Sequence, residues 1–385
     1  MKKRILILTG IFPPDIGGPA TQLDALSREL IKNGYQVKVL TFGEKEKEYP
    51  YLVKKVSNSW PFPLKRFFYL ANGLSLGFKS DILYNQDLYT SGLTALILKK
   101  FLRKPLVTRF VGDSAWEKAS SRGWTSDDIF TFQDKKYSWK IELYKKIRKK
   151  ILSNSDRIIV VSHFLENLVG KIGVNTEKVK VIYNSIDFLE VDFDLKSKEE
   201  LKNNFGFKSI VILTIARLTP WKGVDMLIEI MPELVKKYDK INLVVVGQGK
   251  ELDKLKRLSQ SLSLEKIVLF RGKLNRQDTM DHLKAADLFV LNTNYEGMSH
   301  CLLEAMKTKT PIITTKAGGN PETIKDKQTG LLVDYRDKNQ WLEAINMVLD
   351  DNLLAEKLTS QAEDDLKRFS WSNLVDQTVS IFRSL

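Results

Sequence analysis

Short apolar runs with little polar interruption recur along this chain in two sets of six, separated by stretches of helical period. The first set is RILILT (4–9), QVKVLT (36–41), DILYN (81–85), PLVTRF (105–110), RIIVVS (157–162) and KVKVIY (178–183). The second is SIVILTIA (209–216), INLVVVG (241–247), KIVLFRG (266–272), DLFVLN (287–292), PIITT (311–315) and GLLVD (330–334). Runs rich in Val, Ile and Leu that lack alternation predict strands buried on both faces, as parallel strands covered by helices are. The expected fold class is therefore α/β, with a doubly wound, Rossmann-like parallel sheet built twice.

Residues 187–207 hold no strand-like run and are dense in charge, which suits an interdomain connection. The expected division is an N-terminal domain over 1–188, a connection over 189–207 and a C-terminal domain over 208–370. A break near Phe369-Ser370-Trp371 sets off a last helix, 371–385, expected to pack back on the first domain. Doubly wound sheets bind ligands beyond the carboxyl ends of their strands, so motifs that follow strands carry the functional weight.

A length of 385 residues with 43% apolar content supports a core in each of two domains. A single cysteine, Cys301, excludes an internal disulfide, and the scattered His163, His282 and His300 leave little for a zinc site. The opening MKKRILILTGIFPPD is too short in its apolar part for a signal sequence and reads as a first strand. No run approaches the roughly 18 apolar residues of a membrane span, so a soluble or peripheral protein is expected, and the single cysteine fits a reducing, cytoplasmic setting. Charge changes this picture. Residues 1–188 hold 32 Lys/Arg against 18 Asp/Glu, whereas residues 189–385 hold 29 of each, so the whole excess of +14 falls in the first half.

Strand 209–216 is followed by Arg217-Leu-Thr-Pro-Trp-Lys222-Gly223 and then a helix from about Val224. Two cations flanking a turn at a strand end, beside a helix N-terminus, suit a diphosphate; the ordinary alternative is two surface cations. Strand 287–292 leads into Tyr295-Glu296-Gly297-Met298-Ser299, where Ser299 is a natural N-cap for the helix after it. Glu304 falls inside the apolar helical segment LLEAM and needs a hydrogen-bonding partner if buried, such as a ribose diol; otherwise it faces solvent. Glu296 can accept bonds from sugar hydroxyls or merely precede a turn. Gly17 and Gly18, after the first strand, let backbone approach a phosphate or sugar closely, or simply make a turn. Gly247-Gln248-Gly249 lacks the third glycine of a dinucleotide fingerprint and reads as a tight strand-to-helix turn.

Taken together, the E-x7-E element from Glu296 to Glu304, the RLTPWKG loop, the GG pair in PPDIGGPA and VIYNSID near the junction resemble the GT-B glycosyltransferases of family 4 (glycosyl transferases group 1), the large retaining group. The resemblance spans essentially the whole chain. It implies two Rossmann-like domains facing each other across a cleft, an N-terminal domain that binds acceptor and a C-terminal domain that binds a nucleotide-diphosphate sugar. Carried over, Arg217 and Lys222 bind the diphosphate, Glu304 the ribose and Glu296 the transferred sugar. Backbone of Gly297, Met298 and Ser299 holds sugar and phosphate, and Lys273 and Leu274 offer backbone to the base. In such a retaining reaction the acceptor hydroxyl attacks on the face that the leaving diphosphate vacates, so Arg217 and Lys222 double as electrostatic catalysts. No essential metal and no other cofactor is expected, because these cations supply the positive charge.

The chain departs from the family where many relatives place a histidine after the fourth N-terminal strand. Here Val111-Gly112-Asp113-Ser114-Ala115-Trp116 follows, making Asp113 the candidate catalytic group, to orient an acceptor hydroxyl or stabilise charge; it equally suits an N-cap for SAWEKA. The alternatives to a transferase are a non-catalytic glycan- or sugar-nucleotide-binding protein on the same fold and a nucleotide-sugar epimerase. On the acceptor side, KKYSWKIELYKKIRKKIL (135–152) carries eight Lys/Arg and one acidic residue among aromatic and aliphatic ones, and WPFPLKRFFY (60–69) has a similar character. Such segments lie on an anionic membrane surface or pack an apolar stripe on a sheet. The expected acceptor is a glycan or lipid-linked molecule at the inner face of the cytoplasmic membrane. No nucleic-acid-binding module is recognisable.

Overall fold

Both sets of apolar runs are strands in the computed structural model of the chain, which describes residues 3–13, 18–44, 48–186, 196–207 and 210–385. The first sheet comprises β1 (Arg4–Leu8), β2 (Gln36–Phe42), β3 (Leu52–Val56), β4 (Ile82–Asn85), β5 (Leu106–Phe110), β6 (Arg157–Val160) and β7 (Val179–Val181), in the order β3-β2-β1-β4-β5-β6-β7. The second comprises β8 (Ile210–Ile215), β9 (Ile241–Val246), β10 (Val268–Gly272), β11 (Leu288–Leu291), β12 (Ile312–Thr315) and β13 (Leu331–Val333), in the order β10-β9-β8-β11-β12-β13. All pairings between these strands are parallel. The order reverses between β1 and β4 in one sheet and between β8 and β11 in the other, which places the ligand-binding crevices of the two folds at those strand ends.

β3 is a strand that the apolar pattern does not announce. LVKKV sits at the sheet edge with its outward positions exposed or half-buried, so it alternates where the inner strands run continuously.

In the first unit the helices are α1 (Gly18–Lys32), α2 (Phe62–Phe78), α3 (Gly92–Leu102), α4 (Ser114–Ser120), α5 (Ile129–Asp134), α6 (Trp139–Asn154) and α7 (His163–Lys171). Strand alternation sorts them onto two faces. Leu6, Leu8, Leu40, Leu83 and Leu106 pack against Tyr69 of α2 and Ala95 and Leu98 of α3. Ile5, Ile7, Val37, Val39 and Ile82 face the other way, against Leu23, Leu26 and Leu30 of α1 and against Leu374, Val375 and Phe382 near the C-terminus.

The second unit holds α8 (Lys198–Asn204), α9 (Val224–Glu229), α10 (Met231–Lys237), α11 (Leu252–Ser261), α12 (Arg276–Ala285), α13 (His300–Lys307), α14 (Asn320–Thr323), α15 (Lys338–Asp350) and α16 (Asn352–Asp365). The final α17 (Trp371–Arg383) belongs with the first. The second core gathers Leu243, Val245, Leu288, Val290, Met226 and the fully buried Trp341. By internal packing, one unit is residues 1–119, 129–184 and 371–385, and the other is 120–128 and 185–370.

Two segments thus differ from the division expected from the sequence. Residues 120–128 group with the second unit, and α8, inside the segment expected to connect the domains, is an integral helix of that unit. Its charge is put to use: a capping box joins Ser197 and Glu200, Leu201 is buried, and Lys198 and Lys202 lie 2.8 and 2.6 Å from Asp287. Asp287 also accepts from the backbone N–H of Val211 at 2.8 Å, which ties the helix to the start of β8. Burial pushes the Asp287 carboxyl up, but the two lysines and that amide outweigh it and hold it below the usual range.

Candidate active site

Beyond β8 the chain passes through Arg217 and the buried Leu218 into a short 3₁₀ turn, Pro220–Lys222, with Trp221 also buried. The apolar side chains anchor the turn and leave the cations at its ends. Arg217 is exposed and its guanidinium stands over the Trp221 ring, 6.0 Å from the centroid. Lys222 is only 7% exposed, and its Nζ is ion-paired with the carboxylate of Glu296. A buried ammonium needs such a counter-ion.

Glu296 stands in the loop after β11, and that loop is laced to its neighbours. The buried Asn292 donates from Nδ2 to the Gly223 carbonyl at 2.9 Å, and the Asn294 amide donates to the Trp221 carbonyl at 2.8 Å, so the RLTPWKG turn and the Glu296 loop are held as one piece. From the far side, Gly319 donates its N–H to the Glu296 carbonyl at 2.9 Å. Gly318 has φ +64°, and a Cβ there would stand 2.2 Å from the same carbonyl oxygen, so only glycine admits this contact. Thr315 Oγ1 donates to the Thr293 carbonyl at 2.6 Å, completing the tie between the ends of β11 and β12.

The loop ends at Ser299, which occupies the N-cap position of α13 without making a side-chain capping bond. The helix N-terminus, with its partial positive charge, is therefore not closed by its own cap. One turn on, Glu304 is 2% exposed, which excludes the solvent-facing reading. Its partner is Arg276, the first residue of α12, whose Nη2 lies 3.0 Å from Oε1. Burial pushes the Glu304 carboxyl up, and Arg276 only partly opposes this. Cys301, between the two glutamates, has its thiol pushed up by burial and then by Glu304 and Glu296, and it feels Lys222 and Arg276 in the opposite sense. The thiol stays protonated at neutral pH and is a poor nucleophile.

The structure thus brings together Lys222 with Glu296, and Glu304 with the helix that follows Lys273 and Leu274. Lys273 is exposed and Leu274 half-buried in the turn between β10 and α12. Gly297, Met298 and Ser299 form the end of the Glu296 loop. The Gly247-Gln248-Gly249 segment is a turn whose Gln248 carbonyl accepts from the Leu218 amide at 2.9 Å, bracing the Arg217 loop. Gly17 lies outside the described residues, and Gly18 is the first residue of α1.

Asp113, in the first unit, is fully buried. Its Oδ1 accepts from the amides of Ala115 at 3.0 Å and Trp116 at 3.4 Å, capping α4, while Oδ2 is paired with the buried Arg148 and accepts from Gln133 Nε2 at 3.1 Å. Of its two readings the geometry carries the cap: both oxygens are committed and neither is exposed to a hydroxyl outside. Trp116 is likewise buried, anchoring the loop rather than offering a stacking surface.

Sequence reasoning missed Arg276, Asn292 and the Gly318-Gly319 pair. Arg276 carried a signal, since a cation in the first turn of a helix runs against the macrodipole and asks for a nearby anion. The glycine pair follows strand β12 as Gly17 and Gly18 follow β1, so the strand-end rule applies to it equally.

Residues 196–365 match the family described as glycosyl transferases group 1, and residues 16–188 match glycosyltransferase family 4. An uncharacterized glycosyltransferase of Methanocaldococcus jannaschii is 29% identical, covering 99% of this chain and 98% of its own. The alpha-monoglucosyldiacylglycerol synthase of Streptococcus pneumoniae is 25% identical over 86% of this chain and 75% of its own. Among solved structures, Anabaena HepE in complex with UDP-glucose superposes with a TM-score of 0.81 at 21% identity, covering 99% of this chain and all of the other.

Proposed function

Given that the chain belongs to the family 4 glycosyltransferases, with their GT-B fold of two Rossmann-like domains, we propose that it moves a sugar, with retention of configuration and without a metal, from a nucleotide-diphosphate sugar to a hydroxyl of a lipid-linked or polysaccharide acceptor. The observation that carries this reading is the pairing of Lys222 with Glu296 beside the buried Glu304. Both this pair and that of Arg276 with Glu304 hold opposite charges that a donor can separate usefully.

The donor diphosphate competes with Glu296 for the Lys222 ammonium, and Arg217 adds a second cation from the same turn. Glu296, released, accepts hydrogen bonds from hydroxyls of the sugar. Amides at the uncapped start of α13 and in the Gly297–Ser299 segment hold phosphate and sugar. Glu304 accepts the ribose diol, which supplies the donors that a buried carboxylate lacks. In the transfer step the bond from the anomeric carbon to the diphosphate oxygen breaks and its electron pair stays on that oxygen. The acceptor hydroxyl bonds to the anomeric carbon on the same face, and its proton passes to the departing phosphate. Lys222 and Arg217 stabilise the charge that develops on the leaving oxygen. Asp113 serves the first domain as a positioning residue for the loop after β5, and contributes no proton.

The name of the Streptococcus pneumoniae relative contains a glucosylated diacylglycerol, and the excess positive charge lies in the half that matches the acceptor-binding domain. Both support a lipid-side acceptor at the cytoplasmic face of a membrane. The test is nucleoside diphosphate release from a panel of nucleotide sugars, with lipid and glycan acceptors, by the wild type, Lys222→Ala and Glu296→Ala. Each substitution is expected to lower kcat/KM by about 100-fold or more. Unchanged turnover in both variants would sink the assignment, and an inverted product by NMR would sink retention.

A further inference from the structure

Two apolar segments of the first unit remain uncovered although they sit on well-packed helices. On α2, Phe62 and Phe67 are 67% and 63% exposed, with Trp60 just before the helix exposed as well. On α6, Trp139 is 72% exposed and Leu143 follows it on the same face four residues later, also exposed. Between these helices, α3 turns Leu93, Ile97 and Phe101 outward at the spacing of one helix face. The second unit exposes fewer: among its described residues the exposed large apolar side chains are Trp124, Leu262, Met347 and Leu353, scattered rather than gathered on one face.

The two aromatic ends are joined at one point. Arg66 of α2 donates to the carbonyls of Thr90 and of Tyr89, the latter at 3.1 Å. Tyr89 Oη donates to the Tyr144 carbonyl of α6 at 3.0 Å, and the two rings meet edge to face at 5.2 Å. Tyr89 and Thr90 follow β4, so the second turns of α2 and α6 are clamped to the carboxyl-end edge of the sheet, where doubly wound folds bind ligands. The rings are also held from within. Trp60 packs on Phe68 with centroids 4.3 Å apart, the Arg66 guanidinium stands 5.2 Å over Phe62, and Lys140 Nζ stands 5.6 Å over Trp139.

The charge around this surface is mostly positive: six of the lysines between 135 and 152 are exposed, while Arg148 is buried on Asp113 and Lys145 is paired with Glu142. No Asp or Glu occurs between Glu48 and Asp81, and residues 135–152 carry eight Lys/Arg with one acidic residue. Exposed rings interleaved with lysines and arginines are the chemistry of an interfacial anchor: the rings enter the boundary of headgroups and acyl chains while the cations meet lipid phosphates. A protein partner of ordinary composition would leave this many cations unmatched. Among the described residues no helix is long and apolar enough to cross a membrane, so the contact is lateral.

We infer that the α2–α3–α6 face, centred on Trp60, Phe62, Phe67, Trp139 and Leu143 around the Tyr89 clamp, is a docking surface for an anionic lipid bilayer. This deepens the lipid-side reading above and names where the membrane is met. It sets the carboxyl edge of the first sheet at the level of the headgroups, so that an acceptor is taken from the bilayer without crossing bulk water.

The test uses the full chain in flotation with phosphatidylcholine vesicles and with vesicles in which about a third of the lipid is phosphatidylglycerol. Wild type is expected to float with the anionic vesicles alone. Phe62→Ser/Phe67→Ser and Trp139→Ser/Leu143→Ser are each expected to lose about tenfold or more in binding. These residues are exposed, so unchanged circular dichroism and unchanged nucleoside diphosphate binding check that fold and donor site persist. That control separates failure here from failure of the transferase assignment. Wild type that stays unbound, or floats equally with neutral lipid, or variants that float like wild type, would overturn the proposal. So would sedimentation showing a wild-type dimer that these variants dissolve, since the face would then belong to a second copy.

Discussion

Glu304 is held where a carboxylate is least stable, in an apolar helix at 2% exposure with Arg276 at its edge. Its raised pKa, caused first by burial, has a definite sign for stability. A group with a folded pKa above its unfolded one contributes fully below the unfolded value, and that contribution is lost as pH rises through the folded one. At neutral pH an ionised Glu304 therefore destabilises the ligand-free protein. Glu304→Gln is expected to raise stability near pH 7 by about 1 kcal/mol, with the gain fading as pH falls into the ordinary glutamate range, while nucleotide binding weakens. Thermal unfolding across pH, with and without a nucleoside diphosphate, reads both effects; a variant that is less stable at neutral pH and binds as wild type would contradict the role given to Glu304.

The strand-end loops are the elements that make these residues a site, and their dependence on Gly318 gives a sharp prediction. Gly318→Ala would force a Cβ to within 2.2 Å of the Glu296 carbonyl, whereas Gly34→Ala, at φ +86°, meets nothing within 4 Å. Both substitutions pay the left-handed backbone penalty of about 1 kcal/mol, but only the first displaces Glu296. Gly318→Ala is expected to lower transfer about 100-fold, with Gly34→Ala close to wild type in kcat/KM; equal activities would remove the glycine from the account. Most of this architecture was legible in the sequence, because buried parallel strands write themselves as continuous Val/Ile/Leu runs. The exceptions have physical causes. β3 is an edge strand with a solvated pattern, and α8 hides its single buried leucine in a charged segment. Lys222 and Glu296 stood out because each lies in the loop beyond a strand, and Glu304 because it interrupts the apolar helical segment LLEAM. Arg276 was not singled out, since its meaning depends on a partner 28 residues away that only the fold brings near.

At the scale of the whole molecule, charge and chemistry are divided between the two halves. The first carries the entire excess of +14 and the exposed Trp60, Phe62 and Trp139; the second is neutral and carries Arg217, Lys222, Glu296 and Glu304, the residues we propose bind the donor. Turnover on an acceptor embedded in anionic vesicles should therefore fall with rising salt more steeply than nucleotide binding does, because surface lysines are screened within about 10 Å at 0.1 M salt while the buried Lys222 is not. Parallel salt dependences would argue that the basic half plays no part in presenting acceptor. The donor site is reached most directly by one calorimetric comparison: binding of a nucleoside diphosphate, its 2′,3′-dideoxy analogue and the free nucleoside to wild type, Glu304→Ala and Lys222→Ala. Wild type should bind the diphosphate best; Glu304→Ala should lose the preference for the intact ribose alone, and Lys222→Ala the preference for the diphosphate alone. Binding that is indifferent to ribose and phosphate in the wild type, or unaltered in both variants, would contradict the roles given to Glu304 and Lys222.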